Sequence, residues 1–223
     1  LAHMKNGPAS VEEIMKLNEV DARGKCKNMM IAPPLRLHDC SLVTDGAAAL
    51  VITQTANVSN KARAVEVAGI GHSIERLAEN VRPNMHELMA GKDAAAKAYK
   101  EAGITAADVD FAEVHDCFTI NMILSTEALG FAQDGRAGHD YVAGRFTRDD
   151  KLAINLSRGH QPKAHPLGAT GASTLAGADK QLVGEAIGVK AKKADVGVVF
   201  NVGGSAVTNC VTVLKAPKWT SRL

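Results

Sequence analysis

Two short stretches of the chain carry the same triplet: His38-Asp39-Cys40 in LHDCSL and His115-Asp116-Cys117 in VHDCFT. In extended backbone, residues i and i+2 share a face, so each triplet presents an imidazole and a thiol to one side. Combined, the two pairs would offer zinc two nitrogens and two sulfurs in a tetrahedron. Neither pair, however, forms the short ligand knuckle of a structural zinc site. Taken alone, Cys117 falls between an expected strand, FAEV, and a helix expected to begin near Thr119. Free amides and the positive end of a helix dipole there favour a thiolate. The competing reading is a buried structural thiol. His115 likewise is either a satisfied core histidine or a residue at a strand end, where α/β folds bind ligands.

Two further stretches have chemical potential. In SRGHQPKAHPLGATGAS, residues 157–173, Pro166 restricts His165 to non-helical backbone, and the small residues after it let a helix start pack closely on whatever the histidine faces. In FNVGGSAV, residues 200–207, an apolar strand runs into two glycines whose bare amides suit a developing oxyanion. Glycine turns after strands are common, so neither stretch decides a function by itself.

These residues need a scaffold, and the patterning predicts an α/β one. Ser10 followed by Glu12 and Glu13 predicts a short capped helix over VEEIMKLNEV. DGAAALVIT, 45–53, reads as a turn into a buried segment, and AVEVAGIGHSI, 64–74, as a strand. KDAAAKAYKEA predicts a helix stopped at Gly103, FAEV a strand, and TINMILSTEAL a helix ending at Gly130. Residues 133–163 lack periodicity and read as one active-site loop. A small-residue helix within 167–187 and a final hairpin, VGVVFNV with VTNCVTVLKA, complete the pattern.

Composition narrows the classes. The 223 residues are 46% hydrophobic but only 4% aromatic, which favours helix-on-sheet packing over a β-sandwich. The 26 basic and 24 acidic residues are scattered without a block, so no nucleic-acid partner is expected. No apolar run reaches the roughly 20 residues of a membrane span, and LAHMKNGPAS lacks a hydrophobic signal core, so no membrane or secretory route is expected. The four cysteines read as reduced thiols. Leu1 and the loop-like KNGPAS suggest the second half of a longer protein. Ser221-Arg222-Leu223 fits a peroxisomal address read by an import receptor, which places the protein in the peroxisome or glycosome.

In order along the chain, DGAAALVIT, HPLGATGAS and NVGGSAV resemble the C-terminal half of a thiolase, from about Pro33 to Ala216. Where most thiolases have a CxG cysteine, this chain has Asn201-Val202-Gly203, and HDCF stands in place of Asn-Glu-Ala-Phe. That paired departure resembles the sterol carrier protein type-2 thiolases. The resemblance implies a layered αβαβα enzyme, with this chain supplying a mixed sheet covered by helices. It implies three segments: 1–44 from the loop domain over coenzyme A, 45–65 closing the N-terminal domain, and 66–223 as the C-terminal domain.

The implied activity is 3-oxoacyl-CoA thiolysis, or its reversal, by a homodimer that uses coenzyme A as substrate and no metal. Cys117 would be the acid/base, His165 an oxyanion donor that also helps activate the nucleophile, and His115 the support of that oxyanion. The Gly203 amide would serve a second oxyanion hole, and Ser41 would contact pantetheine. The nucleophilic cysteine would lie in the N-terminal half of the same thiolase, absent from this chain. Ala164 stands where a glycine usually precedes the histidine, and Arg158 and His160 are unusual in their stretch. Two other readings stand beside this one: a non-catalytic acyl-CoA-binding or scaffolding homologue, and a retro-aldolase, against which Cys117 and His165 both argue.

Overall fold

A computed structural model describes residues 10–217 of the chain. The Ser221-Arg222-Leu223 motif and Leu1 lie outside the described residues. Helix α1 (Val11–Lys16) starts as its acids predict, with Ser10 Oγ accepting the Glu13 amide at 3.2 Å. A small antiparallel ribbon follows, β1 (Met30–Ala32) with β2 (Leu35–Arg36). Then come β3 (Glu66–Ile74), α2 (Met89–Ala102), β4 (Phe111–Val114), α3 (Thr119–Ala128), α4 (Ala137–Val142), β5 (Ala153–Ile154), α5 (His160–Lys163), α6 (Thr170–Leu182), β6 (Val196–Gly203) and β7 (Thr208–Lys215).

Strands β3 to β7 form one mixed sheet in the order β3-β7-β6-β4-β5. Strand β4 runs parallel to both β5 and β6, while β7 is antiparallel to β6 and β3. Because side chains alternate across a strand, the sheet has two apolar faces. Ala112 and Val114 of β4, Val198 and Phe200 of β6, and Val211 and Val213 of β7 join the alanines of α2 and the end of α3. Phe111, Val199 and Leu214 join Ala178 and Leu182 of α6 on the other side. Helices therefore cover both faces, as expected of a mixed sheet covered by helices.

The alanine face of α2 has a specific counterpart. Ala94, Ala98 and Ala102, four apart on one helix face, pack against Gly69 and Gly71 of β3, where a Cβ would lie 2.3 Å from the Ala98 carbonyl oxygen and 1.7 Å from that of Ala94, respectively. The helix stops where Gly103 turns left-handed at φ 63°.

Two expectations are corrected. Residues 45–53 form no regular element and are not buried: Val51 is 98% and Ile52 79% exposed. Their apolar run reads as a buried segment, yet among the described residues no strand pairs with it. Residues 133–163 are not one loop either, because α4, β5 and α5 are folded within them. Short elements held by long-range contacts leave little periodicity in a sequence.

Candidate functional site

The three parallel strands deliver the chemistry-bearing residues to one edge. His115, Asp116 and Cys117 follow the carboxyl end of β4, residues 155–160 follow that of β5, and Gly203 ends β6. This is the edge where open α/β sheets bind ligands. The 155–161 segment is stitched to the β4 end along its length. Asn155 Oδ1 accepts the Val114 amide at 2.7 Å, and Glu113 accepts the Ser157 amide and hydroxyl at 2.9 and 2.7 Å. The His160 amide donates to Asp116 Oδ1 at 2.6 Å, and Gln161 Nε2 donates to the carbonyls of Asp116 and Cys117 at 3.1 and 3.2 Å. Gly159 adopts φ 60°, and a Cβ there would stand 1.9 Å from Asp116 Oδ2, so only glycine lets the loop pass.

The two triplets are neighbours, not two halves of a zinc site. Cys40 bridges antiparallel to Phe118, the Ser41 amide donates to the Cys117 carbonyl at 2.8 Å, and Asp39 Oδ1 accepts from Thr119 Oγ1 at 3.0 Å. Among the described residues no three His, Cys, Asp or Glu side chains converge as a metal requires. Ser41 is thus placed against the Cys117 backbone, and the carbonyl of Leu42 next to it accepts the His165 amide at 3.2 Å.

Three imidazoles meet at the centre. Ring centroids of His115 and His165 are 5.0 Å apart, and His160 lies 4.6 Å from the first and 5.3 Å from the second. The sequence marks His160 only as unusual, and nothing in the local pattern singles out Asp116 between its two neighbours. Burial, then the charges of His160 and His165, pushes His115 down to about 3, so it is neutral at physiological pH. Burial, with His160 second, also lowers His165. His165 Nδ1 lies 2.7 Å from Thr170 Oγ1, whose own hydrogen goes to the Pro166 carbonyl at 3.0 Å. Nδ1 must therefore be the protonated nitrogen, which leaves Nε2 with a lone pair.

Cys117 departs from the expected thiolate. The Phe118 amide and its own do favour the anion, but burial dominates, Asp116 adds to it, and the thiol is pushed up to about 11. A helix start can stabilise a thiolate only where the sulfur keeps enough solvent or donors. Beside the cluster, Glu113 is fully buried and pushed up to about 7 by desolvation, against the two Ser157 donors. It borders a cavity of about 340 Å³ that also touches His160, Lys163 and Thr170. Gly203 reaches the same edge, and two residues before it Asn201 lies 3.7 Å from where Gly171 would carry a Cβ. Among the described residues no hydrogen bond or ring contact joins Gly203 to the imidazoles.

Known proteins resemble this chain in sequence and in fold. The family model described as "Thiolase C-terminal domain-like" matches residues 71–216. An acetyl-CoA acetyltransferase from Methanothermobacter thermautotrophicus is 37% identical over 185 residues, covering 82% of this chain and 48% of that protein. Sterol carrier protein 2 of Homo sapiens is 34% identical over 222 residues, covering 96% of this chain and 39% of its own length. The structure of the Ltp2-ChsH2(DUF35) aldolase superposes with a TM-score of 0.71 at 17% identity, over 86% of this chain and 50% of that one. A monomeric SCP2-thiolase like protein type 1 from Mycobacterium smegmatis gives a TM-score of 0.52 at 20% identity, over 70% of this chain and 30% of that one. These two likenesses concern the fold. The chain spans about half, or less, of the length of the acetyltransferase and of sterol carrier protein 2.

Proposed function

The chain belongs to the thiolase superfamily, as the C-terminal half of a thiolase of the sterol carrier protein type-2 kind, and from that premise we propose that the whole protein is a 3-oxoacyl-CoA thiolase. The observation that carries the proposal is the contact of the His115 and His165 rings at the carboxyl edge of the parallel strands, with Cys117 following the same strand end two residues after His115. The nucleophilic thiol comes from the half of the enzyme that this chain does not span.

In this reading the lone pair on His165 Nε2 takes the proton of that nucleophile, and the imidazolium then donates to the oxygen that gains charge. The thiolate attacks the 3-oxo carbon, the bond between carbons 2 and 3 breaks, and the electrons pass to the acetyl-CoA enolate. Cys117, still a thiol at neutral pH, protonates the enolate carbon. The resulting Cys117 thiolate takes the proton of incoming coenzyme A, whose sulfur attacks the acyl-enzyme; the departing nucleophile regains its proton from His165, so both thiols are restored. His115 is a neutral partner of the first oxyanion site, the Gly203 amide serves the second, and Ser41 meets the pantetheine arm. A homodimer is proposed on the resemblance alone.

The test is turnover by the full-length protein. Loss of a 3-oxoacyl-CoA with stoichiometric appearance of acetyl-CoA, dependent on added coenzyme A, is the expected result. Relatives named sterol carrier protein 2 favour a second reading, acyl-CoA binding without chemistry. Saturable binding with no acetyl-CoA formed would establish that reading instead.

A further inference from the structure

One imidazole of the cluster has no role in the scheme above. His160 is 4% exposed and sits on Asp116, which is equally buried. Asp116 Oδ1 stands 2.5 Å from His160 Nδ1 and also accepts the His160 amide at 2.6 Å. The Asp116 amide points at Nδ1 as well, from 3.1 Å. The carboxylate contact is the shorter and the charge-assisted one, so the hydrogen of the neutral ring lies on Nδ1 and Nε2 keeps a lone pair. That Nε2 is buried and has no partner among the described residues, and the same holds for Nδ1 of His115, whose ring centroid is 4.6 Å away. Buried polar atoms without partners are costly and rare, so each needs a reason.

The pair is built as a base with its supporting carboxylate. A proton arriving at Nε2 makes an imidazolium whose Nδ1–H already meets Asp116, so the charge forms where a countercharge stands. Gly159 is the residue that admits the Asp116 carboxylate beside the backbone, and Gln161 ties the next residue of the loop to the Cys117 carbonyl at 3.2 Å. Among the described residues, His160 is also the imidazole of the cluster that borders the cavity of about 340 Å³. Space for a ligand thus lies against this ring. A lone pair there calls for a proton donor rather than for a carbonyl or an oxyanion. Three thiols give up protons in the thiolase cycle. That of the nucleophile goes to His165, which keeps it for the oxygen that gains charge, and that of Cys117 goes to the enolate. The proton of coenzyme A remains.

We propose that His160 is a further catalytic residue of this site, a general base that takes the proton of the coenzyme A thiol at Nε2 and passes it to the Cys117 thiolate. The proposal rests on the thiolase reading and deepens it. The S–H bond of coenzyme A breaks as its sulfur attacks the acyl carbon, and an N–H bond forms at Nε2. That N–H then gives its proton to the Cys117 sulfur, so the ring ends the cycle neutral and no proton is gained or lost. Asp116 acts as a positioning residue that holds the tautomer and faces the charge while it lasts.

The test follows the two half-reactions of the full-length protein with acetoacetyl-CoA, because a base for coenzyme A acts in the second alone. His160→Gln keeps a polar side chain of similar length that cannot carry the proton. Without added coenzyme A, this variant is expected to release a stoichiometric burst of acetyl-CoA within a few-fold of the unaltered rate and to reach the same acetyl-enzyme mass. On addition of coenzyme A, loss of that acetyl mass should be slower by about 100-fold or more, so that acetyl-enzyme becomes the main species during turnover. Asp116→Asn, which removes the countercharge, should show the same split. Equal slowing of both half-reactions overturns the proposal and leaves His160 a structural residue satisfied by water, and so does an unaltered second step. Should neither variant fold, the nitrogen-15 shifts of the His160 ring in the unaltered protein decide: a protonated Nδ1 with a bare Nε2 supports the base, and a protonated Nε2 overturns it. Failure of the unaltered protein to bind or turn over acetoacetyl-CoA is a separate result, which removes the thiolase reading itself and this proposal with it.

Discussion

Cys117 shows how a residue's surroundings decide between two chemistries open to one side chain. The helix start after it would stabilise a thiolate, yet burial with Asp116 alongside outweighs the two amides and keeps the proton on sulfur. Alkylation at Cys117 should therefore still accelerate between pH 9 and 10, with a midpoint near 11, whereas an ordinary thiol levels off about two units lower. Peptide mapping of iodoacetamide labelling across pH reads this directly, and a plateau by pH 9 would refute it. Replacing Cys117 with Ala in the full-length enzyme should cut thiolysis by about 100-fold or more while acylation of the nucleophile stays detectable by mass. Unchanged turnover would remove its acid/base assignment. His115 gives the opposite pH response. Its folded value near 3 lies below that of an unfolded histidine, so between about pH 6.5 and 3 the unfolded chain binds more protons. Its contribution to stability is complete above that window and is lost as pH falls through it. The melting temperature of the unaltered chain should fall more steeply on acidification than that of His115→Gln. The difference should grow by at most about 1.4 kcal/mol per pH unit, and parallel curves would show that His115 is not held neutral.

At the scale of elements, legibility in the sequence follows the range of the interactions that build each piece. The cap at Ser10, the Gly103 stop, FAEV, and the hairpin of β6 and β7 are written in neighbouring residues, and each folds where the pattern places it. His165 before Pro166 and Cys117 after FAEV are legible for the same reason. His160 enters the site unread, because its partners Asp116 and His115 lie more than forty residues away and no local spacing links them. The thiol's protonation escapes too, since burial is a property of the folded surroundings. Long-range fit also governs β3 and α2, where the sequence shows an alanine face but not its glycine counterpart. Adding one methyl at Gly71 would put carbon 1.7 Å from the Ala94 carbonyl oxygen, with backbone rather than a pliable side chain in the way. The helix must then lift from the sheet. Gly71→Ala should lower stability by about 1–3 kcal/mol or more, read as a shift in the urea midpoint. An unmoved midpoint would mean that α2 does not rest on β3 as described.

The whole molecule divides by how its apolar residues are used. Those of the sheet and of α2, α3 and α6 close two continuous cores. Those of the segment before β3 close none: Leu42, Val43, Leu50, Val51 and Ile52 all present apolar side chains to solvent. A strand-like run of this composition is stable only against a neighbour, and exposed runs of this kind promote association. The same run continues into the chain that reaches His165 and Cys117, so whatever covers it also borders the candidate site. The two roles separate experimentally. Val51→Asp with Ile52→Lys removes apolar surface without touching either core, so the thermal midpoint of the chain should stay within about a degree or two, as expected of exposed positions. Self-association, measured by sedimentation velocity at increasing concentration, should decrease in the double variant. A large loss of thermal stability would instead show that 45–53 is packed in solution, and the two-core description of the fold would have to include it.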